Sequence, residues 1–132
     1  MKYSSHSVIV VDDEIELASL FKEYLVKIGY EVISFTDPAL ALDYFKKSSK
    51  DFSLILTDLI MPAMSGIDLA YEIRKHDPNV AIMLITAFLT DDLKLNEKFN
   101  SVKFCNVMEK PVKFAKLRET IHSVLQPNIK VG

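Results

Sequence analysis

The chain has 132 residues, enough for one compact domain and too few for two ordinary ones, so we expect a single domain over 1–132 with its core over about 7–125 and a short tail at 126–132. Hydrophobic residues make up 49% and charged residues 26%, the balance of a soluble globule, and no apolar run approaches the ~18 residues of a membrane helix. The net charge is -2 with Lys and Arg scattered along the chain, which argues against direct nucleic acid binding.

Strand-like and helix-like patterns alternate from end to end. Residues 8–11 form a short apolar run that stops at Asp12 and Asp13. Ile15, Ala18, Phe21, Leu25 and Ile28 then recur at helical spacing, and Gly29 supplies a stop. Residues 31–35 read as a second, more polar strand. Asp37-Pro38 has the chemistry of a helix start and leads into an apolar stripe over 40–45. Residues 54–57 make a third strand ending at Asp58, followed by a loop with Pro62 and Gly66. Ile67, Ala70 and Ile73 mark a third helix, which Asp77-Pro78 ends because the residue before a proline is pushed out of the α region. Residues 80–85 are the fourth and most apolar strand. Leu93, Leu95 and Phe99 give a poor stripe within 90–101, read as a short exposed fourth helix. A fifth strand is expected over 102–108, and Phe114, Leu117, Ile121 and Val124 line a last helix.

Five βα units in succession signal an α/β fold, a parallel sheet covered on both faces. Central strands of such a sheet read as continuous apolar runs, as the first, third and fourth do. Glu31 and Ser34 in the second, and Lys103 and Asn106 in the fifth, mark edges. A doubly wound, flavodoxin-like sheet of order 2-1-3-4-5 satisfies this and the right-handed crossover rule. Lys46, Lys47 and Lys50, and Lys110, Lys113, Lys116 and Arg118, read chiefly as solvated helix faces. Cys105, the single cysteine, lies beside Phe104, Val107 and Met108 and reads as a buried inert thiol. His6, His76 and His122 read as surface residues. With no secretory signal pattern and this cysteine usage, a cytoplasmic location is expected.

Ligands of a doubly wound sheet bind beyond the carboxyl ends of the strands, near the reversal of strand order. Here the first strand ends in Asp12 and Asp13, the third in Asp58, the fourth in Thr86 and the fifth in Glu109-Lys110. Order 2-1-3 sets the first and third strands side by side, so three carboxylates converge. Like charges ~5 Å apart at an effective dielectric of ~20 repel by about 3 kcal/mol, so the cluster calls for a cation or a shared proton. An all-oxygen set with room for water fits Mg²⁺ better than zinc or copper. Lys110 adds an ammonium and Thr86 a hydroxyl, which together suit a phosphoryl group. Taken singly, Asp13 reads as an N-cap, Thr86 as a turn hydroxyl and Lys110 as a surface lysine. Their joint placement at successive strand ends favours the site.

Four motifs in this order carry a resemblance to the response regulator receiver domain: Val-Asp-Asp-Glu at 11–14, Thr-Asp-Leu-Ile-Met-Pro at 57–62 with Gly66, Ile-Thr-Ala at 85–87 and Glu-Lys-Pro at 109–111. The resemblance covers about 7–125 and implies a phosphorelay function in two-component signalling. By it, Asp58 is the phosphoacceptor, taking the group from a sensor histidine kinase, a phosphotransfer protein or a small acyl phosphate. Asp13 is a direct Mg²⁺ ligand, Asp12 acts through water, and the Ile60 backbone carbonyl is the remaining protein ligand. Thr86 and Lys110 hold the phosphoryl oxygens, and the Lys110-Pro111 bond is cis. Such a domain is a signalling module with self-catalysed phosphotransfer and dephosphorylation, not a metabolic enzyme. Two departures bear on the output: Val107 stands where the family carries Tyr or Phe, and the stretch from Thr86 to Lys110 is slightly longer than usual.

Three other readings compete. A haloacid-dehalogenase-type phosphohydrolase needs Asp-x-Asp at the first strand, which residues 11–14 do not supply. A receiver-like module working without phosphorylation is favoured by Val107 and opposed by intact Asp58, Asp13, Thr86 and Lys110. A flavodoxin-type cofactor domain would set its acidic residues against the flavin phosphate.

Overall fold

The structure, a computed structural model, describes residues 6–48 and 51–125. Lys50 and the tail expected at 126–132 lie outside the described residues. Five parallel strands form one sheet of order β2-β1-β3-β4-β5, as the sequence pattern predicts: β1 Ser7–Val11, β2 Glu31–Phe35, β3 Leu54–Asp58, β4 Ala81–Thr86 and β5 Asn106–Glu109. The helices between and after them are α1 Ile15–Lys27, α2 Pro38–Lys47, α3 Gly66–His76, α4 Glu97–Val102 and α5 Phe114–Leu125.

Alternation along the central strands builds a core on each face of the sheet. Ile9, Val11, Ile55 and Ile82 point to one side, where they meet Ala41 of α2, Leu69, Ala70 and Ile73 of α3, and Val102 of α4. Val8, Val10, Leu54, Leu56, Met83 and Ile85 point to the other, against Phe21 and Leu25 of α1 and Leu117 and Ile121 of α5. These side chains are almost fully buried, and each large one contributes about 1.5–3 kcal/mol relative to exposure. Strands buried on both sides cannot carry charge in mid-strand, so polar groups collect at their ends.

The helix boundaries follow local chemistry. Asp37 caps α2 by accepting from the Ala39 amide at 2.9 Å, with Pro38 in the first turn. Gly29, at φ 108°, turns the chain after α1, and Asp77 closes α3. Ser65 and Asp68 form a reciprocal capping box at the start of α3.

Several expectations are corrected. The segment 90–101 is two elements, a 3₁₀ turn over Asp91–Leu95 and then α4, divided at Asn96, whose side chain accepts from the Phe99 amide. The fifth strand begins at Asn106, not at 102, because Val102 belongs to α4 and is buried. Arg74 fixes that ending by donating to the Val102 carbonyl at 2.7 Å and the Val80 carbonyl at 2.6 Å, while Lys103 takes the left-handed conformation at φ 58° and stops the helix. β4 likewise starts at Ala81 and runs through Thr86. Cys105 is exposed and not a core thiol, because it lies before β5 begins, although local burial still raises its pKa. His6 is partly buried, with Nδ1 3.0 Å from the Ser53 hydroxyl, whereas His76 and His122 are exposed as expected.

Candidate functional site

The register of β1 on β3 and of β3 on β4 brings three strand ends to one level. Asp12 follows β1, Asp58 closes β3 opposite Ile85, and Thr86 closes β4. Carboxylate oxygens of Asp12, Asp13 and Asp58 all lie within 4.8 Å of one another. Asp12 and Asp58 are buried and Asp13 is the most open of the three. Asp13 is not spent as a helix cap: Glu14 occupies that position, and it is Asp12 that accepts from the Glu14 amide at 2.9 Å.

Lys110 reaches in from the end of β5. Its ammonium lies 3.1 Å from Asp12 and 3.2 Å from Asp58, bridging the two buried carboxylates. The Lys110 amide also donates to the Thr86 carbonyl at 2.8 Å, which holds the residue beside β4, and the Lys110-Pro111 bond is cis as the motif implies. Burial works against the Lys110 charge, but Asp12 and then Asp58 outweigh it and raise its pKa. Burial is also the largest influence on Asp58, and with repulsion from Asp12 it raises that pKa despite Lys110. The Lys110 ammonium therefore does not fully offset the burial of Asp58 and its repulsion from Asp12.

Contacts that the sequence does not advertise shape the setting of Asp58. The Leu59 amide donates to Asp58 Oδ1 at 2.8 Å, which fixes one carboxylate oxygen and leaves Oδ2 to Lys110. Gly66 packs on the Asp58 backbone so closely that a Cβ there would overlap the Asp58 carbonyl oxygen. The glycine is visible in the sequence, but its reason is this approach. The Thr86 hydroxyl is fully buried and accepts from the Phe88 amide at 3.0 Å. Ile60 follows Asp58 by two residues and is 55% exposed, and Val107 lies partly buried in β5.

The sequence profile of the response regulator receiver domain matches residues 8–122. The chain belongs to the response regulator receiver family. This receiver domain is 32% identical over 118 residues to the response regulator receiver protein CpdR of Brucella abortus, spanning 89% of this chain and 95% of that protein. It is 30% identical to ethylene receptor 2 of rice (Oryza sativa subsp. japonica) over 96% of this chain but only 17% of the receptor. Among solved structures it resembles chemotaxis protein CheY4 of Vibrio cholerae with a TM-score of 0.83 at 26% identity, covering 92% of this chain and all of that one, 100%. It also resembles the response regulator TrrA of Thermotoga maritima, solved with Mg²⁺ and BeF, with a TM-score of 0.78 at 30% identity over 91% and 99% of the two chains. The receiver domain's place in two-component signalling and its CheY-like fold follow from these matches. Among the described residues no helix is long and apolar enough to cross a membrane.

The donor set fits a hard divalent cation. It offers only oxygen ligands, two of them buried, carries three acidic charges against one lysine, and leaves its third carboxylate open to water.

Proposed function

We propose that this receiver domain takes a phosphoryl group on Asp58 Oδ2 from a phosphohistidine of a sensor kinase or phosphotransfer protein, and later loses it to water. The observation that carries this reading is the Lys110 bridge: a cation held 3.2 Å from Asp58 and 3.1 Å from Asp12 at the meeting of three carboxylates. The Leu59 amide orients the Asp58 carboxylate, so Oδ2 faces the donor while Oδ1 stays anchored. As Oδ2 bonds to phosphorus, the phosphorus–nitrogen bond of the donor breaks and its electron pair returns to the imidazole.

The new group adds roughly −2 charge and acceptor oxygens where Lys110 already stands. The lysine then exchanges a carboxylate oxygen for a phosphoryl oxygen, and the Thr86 hydroxyl leaves the Phe88 amide to donate to another. Asp13 and Asp58, with the Ile60 carbonyl and with Asp12 through water, would hold Mg²⁺, which neutralises charge on the transferring group. The domain catalyses only its own phosphorylation and dephosphorylation, and a cytosolic setting suits this chemistry.

Acetyl phosphate with Mg²⁺ should add a single phosphoryl group by intact mass, and Asp58→Asn should remain unlabelled. Equal labelling of the variant would move the acceptor elsewhere.

A further inference from the structure

Thr57 is a polar side chain inside the sheet to which phosphoryl transfer, as proposed above, gives no part. It is 1% exposed and stands in β3 between Val11 of β1 and Leu84 of β4. Valine has nearly the same shape and would fill this place with no polar atom to satisfy, whereas a buried hydroxyl costs free energy unless it is hydrogen-bonded. The Thr57 hydroxyl donates to the backbone carbonyl of the next residue, Asp58, at 2.9 Å.

That carbonyl and the Leu59 amide are the two ends of one planar peptide group. At the amide end the N–H is shared between two acceptors, Asp58 Oδ1 at 2.8 Å and the Ile85 carbonyl of β4 at 3.2 Å. The tilt of the peptide plane therefore divides this N–H between the carboxylate and the sheet. An Asp carboxylate turns about a broad, roughly two-fold torsion, so its orientation depends on such an outside hold. Gly66 packs on the Asp58 carbonyl but gives its amide to the Leu59 carbonyl, at 2.8 Å. Among the described residues the directional side-chain bond to the Asp58 carbonyl comes from Thr57. A bond at the oxygen end also polarises the peptide and strengthens its N–H as a donor.

We propose that Thr57 is a positioning residue for Asp58. Its hydroxyl holds the 58–59 peptide at the tilt that keeps the Leu59 amide on Oδ1, which leaves Oδ2 turned to Lys110. With the hydroxyl gone, the N–H swings toward Ile85 and the carboxylate turns freely. The consequence for phosphoryl transfer rests on Asp58 as the acceptor, while the consequence for the carboxylate's orientation does not.

Thr57→Val and Thr57→Ser separate the hydroxyl from packing, because the first exchanges the hydroxyl for a methyl and the second keeps the hydroxyl and loses the methyl. With acetyl phosphate and Mg²⁺, followed by intact mass, Thr57→Val should label roughly tenfold more slowly than the parent and Thr57→Ser within about twofold of it. Amide NMR of the metal-free protein should show the Leu59 proton moved upfield in Thr57→Val and unmoved in Thr57→Ser. A packing role gives the reverse order of rates, since serine leaves a void in the sheet and valine does not. That order, or a Leu59 proton at the parent position in Thr57→Val, would overturn the proposal. A parent that takes no label would sink the acceptor reading instead, and the Leu59 proton would still decide for or against Thr57.

Discussion

Burial, aided by repulsion from Asp12, raises the Asp58 pKa, and Lys110 offsets this only in part. A carboxyl whose folded pKa lies above its unfolded value contributes stability that is full below the unfolded pKa and lost as pH rises through the folded one. At neutral pH the ionised Asp58 therefore opposes folding. In metal-free buffer Asp58→Asn should unfold at a higher urea midpoint than the parent at pH 7, and the gain should vanish near pH 3. A variant less stable than the parent at pH 7 would contradict the dominance of burial. Close by, the Gly66 backbone touches the Asp58 carbonyl, and the added methyl of Gly66→Ala has nowhere to go without shifting Asp58. Overpacking of this kind costs about 1–3 kcal/mol. Urea unfolding should register that loss, and labelling by acetyl phosphate should slow, because the displaced backbone carries the Asp58 carboxylate away from Lys110.

Helices α3 and α4 are joined by a polar contact on their outer side. Asp68 closes the capping box of α3 and also receives Lys98 of α4 at 3.3 Å, while Lys98 lies 5.0 Å over the Tyr71 ring. Burial alone would raise the Asp68 pKa, but the Ser65 backbone amide and then Lys98 outweigh it and lower it. Its contribution is thus present above the unfolded pKa and lost as pH falls through the folded one. Urea unfolding of the parent and Asp68→Ala should differ by about 1 kcal/mol or less at pH 7, since the ion pair is exposed, and converge below the ordinary carboxylate pKa of ~4. A gap unchanged at low pH would mean that the carboxylate charge does not carry the effect. Element boundaries on this side were the least legible in the sequence. A run such as 102–108 is apolar enough for a strand, yet Arg74, 28 residues before Val102, takes the Val102 carbonyl and keeps that residue helical.

Across the whole domain, stability is concentrated in β1, β3 and β4, whose residues are buried on both faces. Residues 87–92 are all exposed, and Leu95 is 81% exposed. Little apolar area anchors the stretch between β4 and α4, so it should open locally at low free energy. Amide exchange should be fastest there among the described elements and slowest in the central strands. If Asp58 is phosphorylated as proposed, exchange should change first at Phe88, whose amide would lose the Thr86 hydroxyl as that group turns to the phosphoryl oxygens. Protection of 87–96 equal to that of the central strands, or changes confined to the Asp58 loop, would place the switch elsewhere.

Strand order was legible because a strand buried on both faces must be apolar along its middle, and residues 8–11, 54–56 and 80–85 are; β2 and β5 betray themselves as edges by their polar residues. The candidate site was legible for a related reason: charge excluded from mid-strand appears at strand ends, where Asp12, Asp13, Asp58, Thr86 and Lys110 stand. The sequence by itself determined the layering and the chemistry available at one end of the sheet, since periodicity and burial are local properties of the chain. Only the tertiary structure decided that Lys110 bridges Asp12 and Asp58 and that Glu14, not Asp13, occupies the N-cap position of α1, with no side-chain cap bond. It also decided that Cys105 is exposed. Those outcomes depend on contacts between residues as far apart as Asp12 and Lys110, and no local pattern encodes a distance closed only when the sheet forms.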